Sequence, residues 1–219
     1  MLEDRFDEMR RKHAGRAKSQ FGHDAFVLAA LGEKTGGYFV EVGAGDCVNL
    51  SNTHLLETVL GWRGLLIEPN PLFHASIRRN RKAALDARAA YSSGGESVAF
   101  VDYEELSTLL PFKSGDGHDR EGRPVIRVET AMLDDIFAAH GVPGEIDFLS
   151  VDTEGSELEV VKGLDFVRYR PRVMTVEHNS VPWRRRVIIE HLSRRGYRPV
   201  LEDRSGVDTW FVHGTGGKR

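Results

Sequence analysis

A glycine turn between a strand and a helix constrains this chain more than any other stretch. Residues 38–42, Tyr-Phe-Val-Glu-Val, are aromatic or apolar except for one carboxylate, which predicts a short buried strand. The strand leads into Gly43-Ala44-Gly45, where two glycines one residue apart allow backbone N–H groups to approach a ligand closely. The apolar spacing of residues 54–60 then predicts a helix, with Ser51 or Asn52 as its N-cap.

A second strand is predicted at residues 64–68, an apolar run that ends in Glu68 and is stopped by two prolines. Glu68 lies 27 residues after Glu41, which is where a βαβ nucleotide site places the acid that binds ribose hydroxyls. Two parallel strands side by side would bring the glycine turn and Glu68 to one carboxyl edge. Open α/β sheets bind their ligands at that edge.

The remaining sequence alternates between strand and helix patterns, which predicts an α/β fold built on a doubly wound, mostly parallel sheet. The further predicted strands cover residues 87–91, 97–103, 125–130, 146–152, 171–177, 199–202 and 208–213. The further predicted helices cover residues 1–19, 25–31, 74–89, 132–140, 156–164 and 182–195. A short polar turn joins the last two strands, so they suit an antiparallel pair at one side of the sheet.

A single domain over residues 1–219 is expected, because 219 residues with 40% hydrophobic content are enough for one buried core and short for two. Residues 1–19 carry i,i+4 charge pairs, which favour a solvated helix at the surface or at a contact in a homodimer. Residues 113–124 combine three glycines with many charges. They are expected to form a flexible loop, either a lid over a site or a plain exposed insertion.

The charge and cysteine content exclude several classes of protein. A net charge of −3 gives no global attraction to nucleic acid or to an anionic membrane. The single cysteine, Cys47, excludes an internal disulfide and a cysteine metal cluster. No apolar run of about 18 residues occurs. A cytoplasmic protein with no membrane or nucleic-acid partner is therefore expected.

Carboxylates recur at the ends of the predicted strands. Glu68, Asp152 and Glu177 each close a strand, and parallel strands bring such ends to one edge of the sheet. Like charges crowded together repel one another unless a cation lies among them. The ligand of this edge is therefore expected to carry positive charge.

Four segments together resemble the FkbM family of S-adenosylmethionine-dependent methyltransferases. They are Phe39-Val40-Glu41-Val42-Gly43-Ala44-Gly45-Asp46, Leu50-Ser51-Asn52-Thr53, Leu66-Ile67-Glu68-Pro69-Asn70-Pro71 and the stretch from Asp147 to Glu157. The likeness runs from about Gln20 to Asn179. Two positions depart from the family pattern: Gly45-Asp46-Cys47 replaces Asn-Asp-Gly, and His23 replaces glutamine. The resemblance implies a class I methyltransferase fold with seven strands, the last one antiparallel, and S-adenosyl-L-methionine as the cofactor.

The resemblance also implies a cofactor site. It assigns the methionine portion of the cofactor to Gly43, Ala44 and Gly45, and the ribose hydroxyls to Glu68. The other cofactor-binding candidates are Gln20, Asp24, Glu41, Ser51, Asn52, Thr53, Pro69, Ser92 and Asp152. Two alternatives stay open, since Glu41 also suits a buried structural acid and residues 51–53 also suit plain helix capping.

The implied reaction is transfer of the activated methyl group to a hydroxyl of a sugar or related small metabolite, which must lose its proton. One version binds Mg²⁺ through Asp152, Glu177 and His178, with Glu154 nearby, because such hard ligands suit an octahedral ion. The other version has no metal, and His178 acts as the general base, oriented by Glu154 or Asp152. A structural role for His178 also stays open.

Three other classes of function are weighed against this reading. A dehydrogenase fingerprint has a third glycine where this chain has Val48. A base-directed N-methyltransferase would carry an Asn/Asp-Pro-Pro-aromatic turn where this chain has Asp152-Thr153-Glu154-Gly155. A non-catalytic S-adenosylmethionine-binding protein would need no acid at Asp152 or Glu177, so these acids favour catalysis.

Overall fold

The predicted alternation of strands and helices is present in the computed structural model, which describes residues 1–114 and 116–214. The strands are β1 (Tyr38–Val42), β2 (Arg63–Ile67), β3 (Ala84–Asp86), β4 (Ala89–Ala90), β5 (Ser97–Val101), β6 (Thr108–Leu109), β7 (Val125–Ala131), β8 (Glu145–Val151), β9 (Arg170–Glu177), β10 (Tyr197–Val200) and β11 (Asp208–His213). The helices are α1 (Leu2–His13), α2 (His23–Leu31), α3 (His54–Leu60), α4 (Pro71–Asn80), α5 (Leu133–His140), α6 (Glu157–Lys162) and α7 (Pro182–Ser193).

The main sheet has seven strands in the order β10-β11-β9-β8-β1-β2-β3. Strand β11 runs antiparallel to both β9 and β10, whereas the pairs from β9 to β3 are all parallel. This confirms the predicted class I methyltransferase arrangement with an antiparallel last strand. The chain extends outward from β1 to β3 and then returns to β8 on the other side of β1. The strand order therefore reverses between β1 and β8, which is where open α/β sheets bind ligands.

Each face of the main sheet carries its own hydrophobic core, because successive side chains of a strand point to opposite faces. Val40 and Val42 of β1 belong to one buried cluster, while Phe39 belongs to the other, together with Trp210 of β11. Helix α1 packs on the second cluster through Phe6, whose ring centroid lies 5.4 Å from that of Trp210. Burial on both faces explains why the central strands read as nearly continuous apolar runs.

A second, four-stranded sheet in the order β4-β7-β5-β6 is inserted between β3 and α5. The main sheet uses Ala84–Asp86 as its third parallel strand, whereas Ala89–Ala90 pairs with β7 of the second sheet. The prediction of a third core strand at residues 87–91 was therefore wrong. The prediction of a helix over residues 74–89 was also wrong. Helix α4 ends at Asn80, because the Glu57 carboxylate accepts hydrogen bonds from the backbone N–H groups of Lys82 and Ala83 and so draws the chain out of the helix.

The glycine turn lies where the ends of β1 and β8 approach each other closely. Gly43 has φ +79°, and a Cβ added to it would lie only 1.6 Å from the carbonyl oxygen of Asp152. Gly45 also has a positive φ, +52°, but its added Cβ would meet nothing nearer than Cγ of Glu105 at 3.9 Å. Gly43 is therefore required by the packing of two strand ends, whereas Gly45 is required only by its backbone conformation.

None of the helices in residues 1–114 and 116–214 combines the length and the hydropathy needed to cross a membrane.

We expect Gly43→Ala to destabilise the protein by about 2 to 4 kcal/mol, because it adds a clash between strand ends to the strain of a left-handed backbone. Gly45→Ala is the matched control, since it introduces the strain without the clash and is expected to cost about 1 kcal/mol. Urea unfolding of both variants measures the difference. Equal losses of stability would contradict the close approach at Gly43.

Candidate active site

A pocket of about 370 Å³ opens at the carboxyl ends of β1, β2, β8 and β9. The glycine turn forms its floor, and the second sheet contributes Ala89, Phe100 and Leu109 to an apolar wall. The loop between β5 and β6 also lines it. The volume lies in the range of small-molecule sites, and polar groups meet an apolar wall as such sites require.

Most of the residues singled out from the sequence line this one pocket. They are Gln20, Glu41, Gly43, Ala44, Gly45, Ser51, Asn52, Glu68, Pro69, Asp152, Glu154 and Glu177. Four others do not belong to the described lining: Asp24, Thr53, Ser92 and His178. The strand ends thus collect residues that are far apart in the chain.

Glu68 is held rigidly at the end of β2. Its Oε2 accepts a hydrogen bond from the backbone N–H of Gly45 at 2.8 Å, and its Oε1 accepts one from Asn70 at 2.7 Å. The side chain is 5% exposed, and burial raises the pKa of Glu68 to about 7. Each carboxylate oxygen retains a second lone pair for a ligand hydroxyl.

Glu41 organises the loop that follows the glycine turn. Its carboxylate accepts hydrogen bonds from Ser51 Oγ at 3.0 Å, Thr53 Oγ1 at 2.5 Å and the backbone N–H of Asn52 at 2.7 Å. The prediction of Ser51 or Asn52 as the N-cap of α3 was wrong, because the N-cap is Thr53 and no side chain caps the helix. The hydroxyls are used to hold the loop against β1 instead.

Three carboxylates come together at the ends of β8 and β9. One oxygen from each of Asp152, Glu154 and Glu177 lies within 4.8 Å of the other two. Burial, reinforced by neighbouring carboxylates, raises the pKa of Asp152 to about 7 and that of Glu154 to about 8, and it raises the pKa of Glu177 well above its usual value. Oε2 of Glu177 is buried and has no hydrogen-bond partner. The group is therefore suited to a cationic ligand.

The expected metal set needs one change, because Glu154 takes the place of His178 in this group. The His178 ring accepts a hydrogen bond at Nδ1 from the backbone N–H of Ser180 at 3.1 Å. Its side chain is buried, and burial lowers the pKa of His178. Adjacency in sequence to Glu177 does not bring His178 to the pocket, since successive residues of an extended chain point in opposite directions.

Two further candidates also lie apart from the pocket lining. Asp24 is fully buried, and its Oδ1 accepts hydrogen bonds from Ser19 Oγ at 2.7 Å and from the backbone N–H of Ala25 at 2.8 Å. Ser92 donates to Glu159 Oε2 at 2.6 Å. Ser92 follows the short strand β4 rather than a core strand, which explains why it lies away from the main carboxyl edge.

A histidine and an aspartate in the pocket were not predicted as site residues. His23 Nε2 lies 2.5 Å from Asp208 Oδ2, and both residues line the pocket. Burial opposes charge on His23, but Asp208 outweighs it, so the pKa of His23 is raised. Asp208 pairs directly with Glu177 across β9 and β11. The departure from the family pattern at His23 was a sequence signal, whereas Asp208 required the strand register.

The strand order, the glycine turn and the acids at the neighbouring strand ends define a class I methyltransferase. The particular family follows from sequence comparison: the chain matches the model of the methyltransferase FkbM domain over residues 41–199, and it belongs to that family. Family membership supports S-adenosyl-L-methionine as the cofactor.

Individual relatives are distant. The chain is 29% identical over 135 residues to methyltransferase sdnD of Sordaria araneosa, a match that covers 62% of this chain and 38% of that protein. Among solved structures, an FkbM methyltransferase from Methylobacillus flagellatus KT has a TM-score of 0.48 and 15% identity, covering 94% of this chain and 59% of that one. A precorrin-6y C5,15-methyltransferase from Geobacter metallireducens GS-15 has a TM-score of 0.44 and 17% identity, covering 86% and 84%. The chain thus spans 38% of the Sordaria protein and 59% of the Methylobacillus protein, less than two thirds of either.

We expect Glu68→Gln to flatten the pH dependence of stability of the ligand-free protein. The folded pKa of Glu68, about 7, lies above its ordinary value of 4.5, so this group contributes stability below about pH 4.5 that is lost as the pH rises through about 7. Relative to wild type, the variant should gain about 3 kcal/mol between these limits, in addition to a constant offset from its amide. Urea unfolding across this range measures the difference, with the exposed Glu145→Gln as control. Parallel pH curves for wild type and Glu68→Gln would contradict it.

Proposed function

We propose that this protein is an S-adenosylmethionine-dependent O-methyltransferase that acts on a hydroxyl of a sugar or related small metabolite. The observation that carries the proposal is the grouping of Asp152, Glu154 and Glu177 in the same pocket as the glycine turn and Glu68. A cofactor cradle and a set of acids able to receive a proton thus face each other.

The pocket residues fit the proposed cofactor. The turn from Gly43 to Gly45 lines the pocket with no side chain larger than the methyl group of Ala44, which leaves its backbone accessible to the methionine portion. Glu68 is positioned to accept the ribose hydroxyls, with Pro69 beside it, and the apolar wall from Phe73 and Phe100 suits the adenine ring.

The charge of the pocket also fits a cationic methyl donor. Among the described residues, no lysine or arginine belongs to the lining, whereas Asp152, Glu154, Glu177 and Asp208 all do. Buried carboxylates near one another disfavour their own ionisation, and a positive ligand relieves this repulsion. The sulfonium and ammonium groups of the proposed cofactor supply such charge.

The acceptor hydroxyl must lose its proton as the methyl group is transferred. A base is effective when its pKa lies near the working pH, and the pKa values of Asp152 and Glu154 are raised to about 7 and about 8. Either carboxylate can therefore accept the proton near neutral pH. We assign the metal-free reaction to Glu154 with Asp152 rather than to His178, because the His178 ring does not line the pocket.

A divalent cation is the second version of the same chemistry. Asp152, Glu154 and Glu177 would hold Mg²⁺, and the unpartnered Oε2 of Glu177 supports this assignment. A bound cation would supply Lewis-acid activation of the acceptor hydroxyl. Asn179, which donates to Glu154 Oε2 at 3.0 Å, would orient one of the carboxylates.

A non-catalytic S-adenosylmethionine-binding protein is the alternative from another class. It would need Glu68 and the glycine turn but would gain nothing from burying three further acids, since each buried acid costs stability. The acceptor is taken to be a small molecule because the pocket volume of about 370 Å³ leaves room for little more beside a nucleoside.

We expect Glu68→Ala and Asp152→Asn to separate cofactor binding from turnover. Loss of Glu68 removes hydrogen bonds to a charged acceptor and should weaken binding of S-adenosylhomocysteine about 10- to 100-fold by calorimetry.

The Asp152→Asn variant should bind S-adenosylhomocysteine with near wild-type affinity. It should lower the rate of S-adenosylhomocysteine release in a screen of hydroxylated acceptors. Unchanged affinity in the first variant, or an unchanged rate in the second, would reject the role assigned to that residue.

Chelation should distinguish the two versions of the mechanism. In the metal version, EDTA abolishes methyl transfer and added Mg²⁺ restores it, while Glu177→Gln weakens Mn²⁺ binding measured by electron paramagnetic resonance. The exposed Glu145→Gln serves as the control for charge. Full activity in the presence of chelator would eliminate the metal version and leave the carboxylate base.

A further inference from the structure

A loop of the second sheet forms one wall of the pocket. This crossing loop, residues 103–107, joins β5 to β6, and its residues Glu104, Glu105, Leu106 and Ser107 all line the pocket. Its own hydrogen bonds are short-range, as in the bond from Leu106 N to Tyr103 O at 2.9 Å. Such a turn needs anchors outside itself to hold one position over a site.

The first anchor lies on the cofactor side. Asn70 donates through Nδ2 to Asp102 Oδ1 at 2.8 Å and to Ser107 Oγ at 3.2 Å. The same residue donates its backbone N–H to Glu68. Asn70 therefore ties the crossing loop, at Ser107 and at Asp102 directly before it, to the strand end that carries the proposed ribose ligand.

The second anchor is Arg120, whose side chain is completely buried. Its Nε donates to the carbonyl oxygen of Leu106 at 2.7 Å, and its Nη1 lies 2.7 Å from Oδ2 of Asp116. Its Nη2 donates to Glu154 Oε2 at 3.2 Å. One guanidinium thus joins the crossing loop, residue 116 and the acid group at the end of β8.

We propose that Arg120 is the positioning residue of the acceptor end of the pocket, holding the crossing loop over it and fixing the orientation of Glu154. The inference rests on the proposed methyl transfer to a hydroxyl, in which Glu154 acts as base or cation ligand. Arg120 and Asn179 both donate to Oε2 of Glu154. The bonds from both residues therefore leave Oε1 for the acceptor.

The residue type matters for this role. A guanidinium presents donors in several fixed directions, so one side chain can bond a carbonyl and two carboxylates at once, which an ammonium cannot do with the same geometry. The segment from residue 113 to residue 124, expected from the sequence to be a loop or a lid, contributes this arginine. Its Gly115 lies outside the described residues. We assign the segment the role of carrying Arg120, rather than that of a plain exposed insertion.

Loss of Arg120 is expected to affect the acceptor end of the pocket alone. Within residues 1–114 and 116–214, Arg120 makes no hydrogen bond to the glycine turn or to Glu68, so its loss should affect the acceptor and leave the cofactor bound. We expect Arg120→Gln to lower kcat/KM for the acceptor about 10- to 100-fold, through a raised acceptor KM and a lowered kcat, because charge-assisted bonds in a buried network are lost. Affinity for S-adenosylhomocysteine should stay within about 3-fold of wild type.

The experiment uses the full chain, four single variants and one double variant. Arg127→Gln is the charge-matched control, since Arg127 lies exposed on β7 of the second sheet. Its side chain donates hydrogen bonds to Oγ and to the carbonyl oxygen of Ser97, away from the crossing loop. Arg120→Lys should restore part of the activity lost in Arg120→Gln. Glu154→Gln is measured alone and combined with Arg120→Gln, and the double variant should lose little more than Glu154→Gln if Arg120 acts through that carboxylate.

Hydrogen exchange of residues 104–107 gives a readout that does not depend on turnover. Arg120→Gln should accelerate exchange there, and Arg127→Gln should not. Unchanged exchange with unchanged kinetics, or an equal loss of S-adenosylhomocysteine binding and of acceptor turnover, would overturn the assignment. Failure of the wild type to methylate any hydroxyl acceptor would instead contradict the proposed function, while the exchange comparison would still decide whether Arg120 holds the loop.

Discussion

The structure depends on carboxylates buried at the carboxyl edge of a parallel sheet with too few cations beside them. Glu68, Asp152 and Glu177 lie at the ends of β2, β8 and β9, and burial raises the pKa of each. Such an arrangement costs folding free energy in the ligand-free protein. A cofactor with positive charge, and a proton or a cation at the acceptor end, would recover that free energy. The same buried carboxylates therefore account for both the cost in stability and the proposed chemistry.

Backbone geometry sets how close these groups come. Gly43 packs closely against the Asp152 carbonyl, so the glycine turn and Asp152 lie next to each other. Glu68 then bonds Gly45, so the turn is held from the side of β2 as well. Pre-organisation of this kind places donor and acceptor before either ligand binds, which lowers the entropic part of the barrier.

The second sheet completes the site in a way that the main sheet alone could not. It supplies an apolar wall through Phe100 and Leu109 and the crossing loop, residues 103–107, which also lines the pocket. The side-chain hydrogen bonds that attach it to the rest of the fold include those of Asn70, which also bonds Glu68, and of Arg120, which bonds Glu154. The division between a cofactor side and an acceptor side is thus reproduced in the anchors of the covering element.

The local sequence pattern was enough to predict strand β1, the glycine turn and the position of Glu68 at the end of β2. These features depend on hydrophobic periodicity and on glycine conformations, which are properties of neighbouring residues. It also determined the order of strands and helices from β7 to β9. Only the tertiary structure decided that helix α4 stops at Asn80, that Asp208 lines the pocket whereas His178 does not, and that Arg120 bonds Glu154. The helix end, Arg120 and Asp208 each depend on a partner 25 or more residues distant: Glu57, Glu154 and Glu177 respectively. Pairings at that range are fixed by packing and strand register rather than by local propensity.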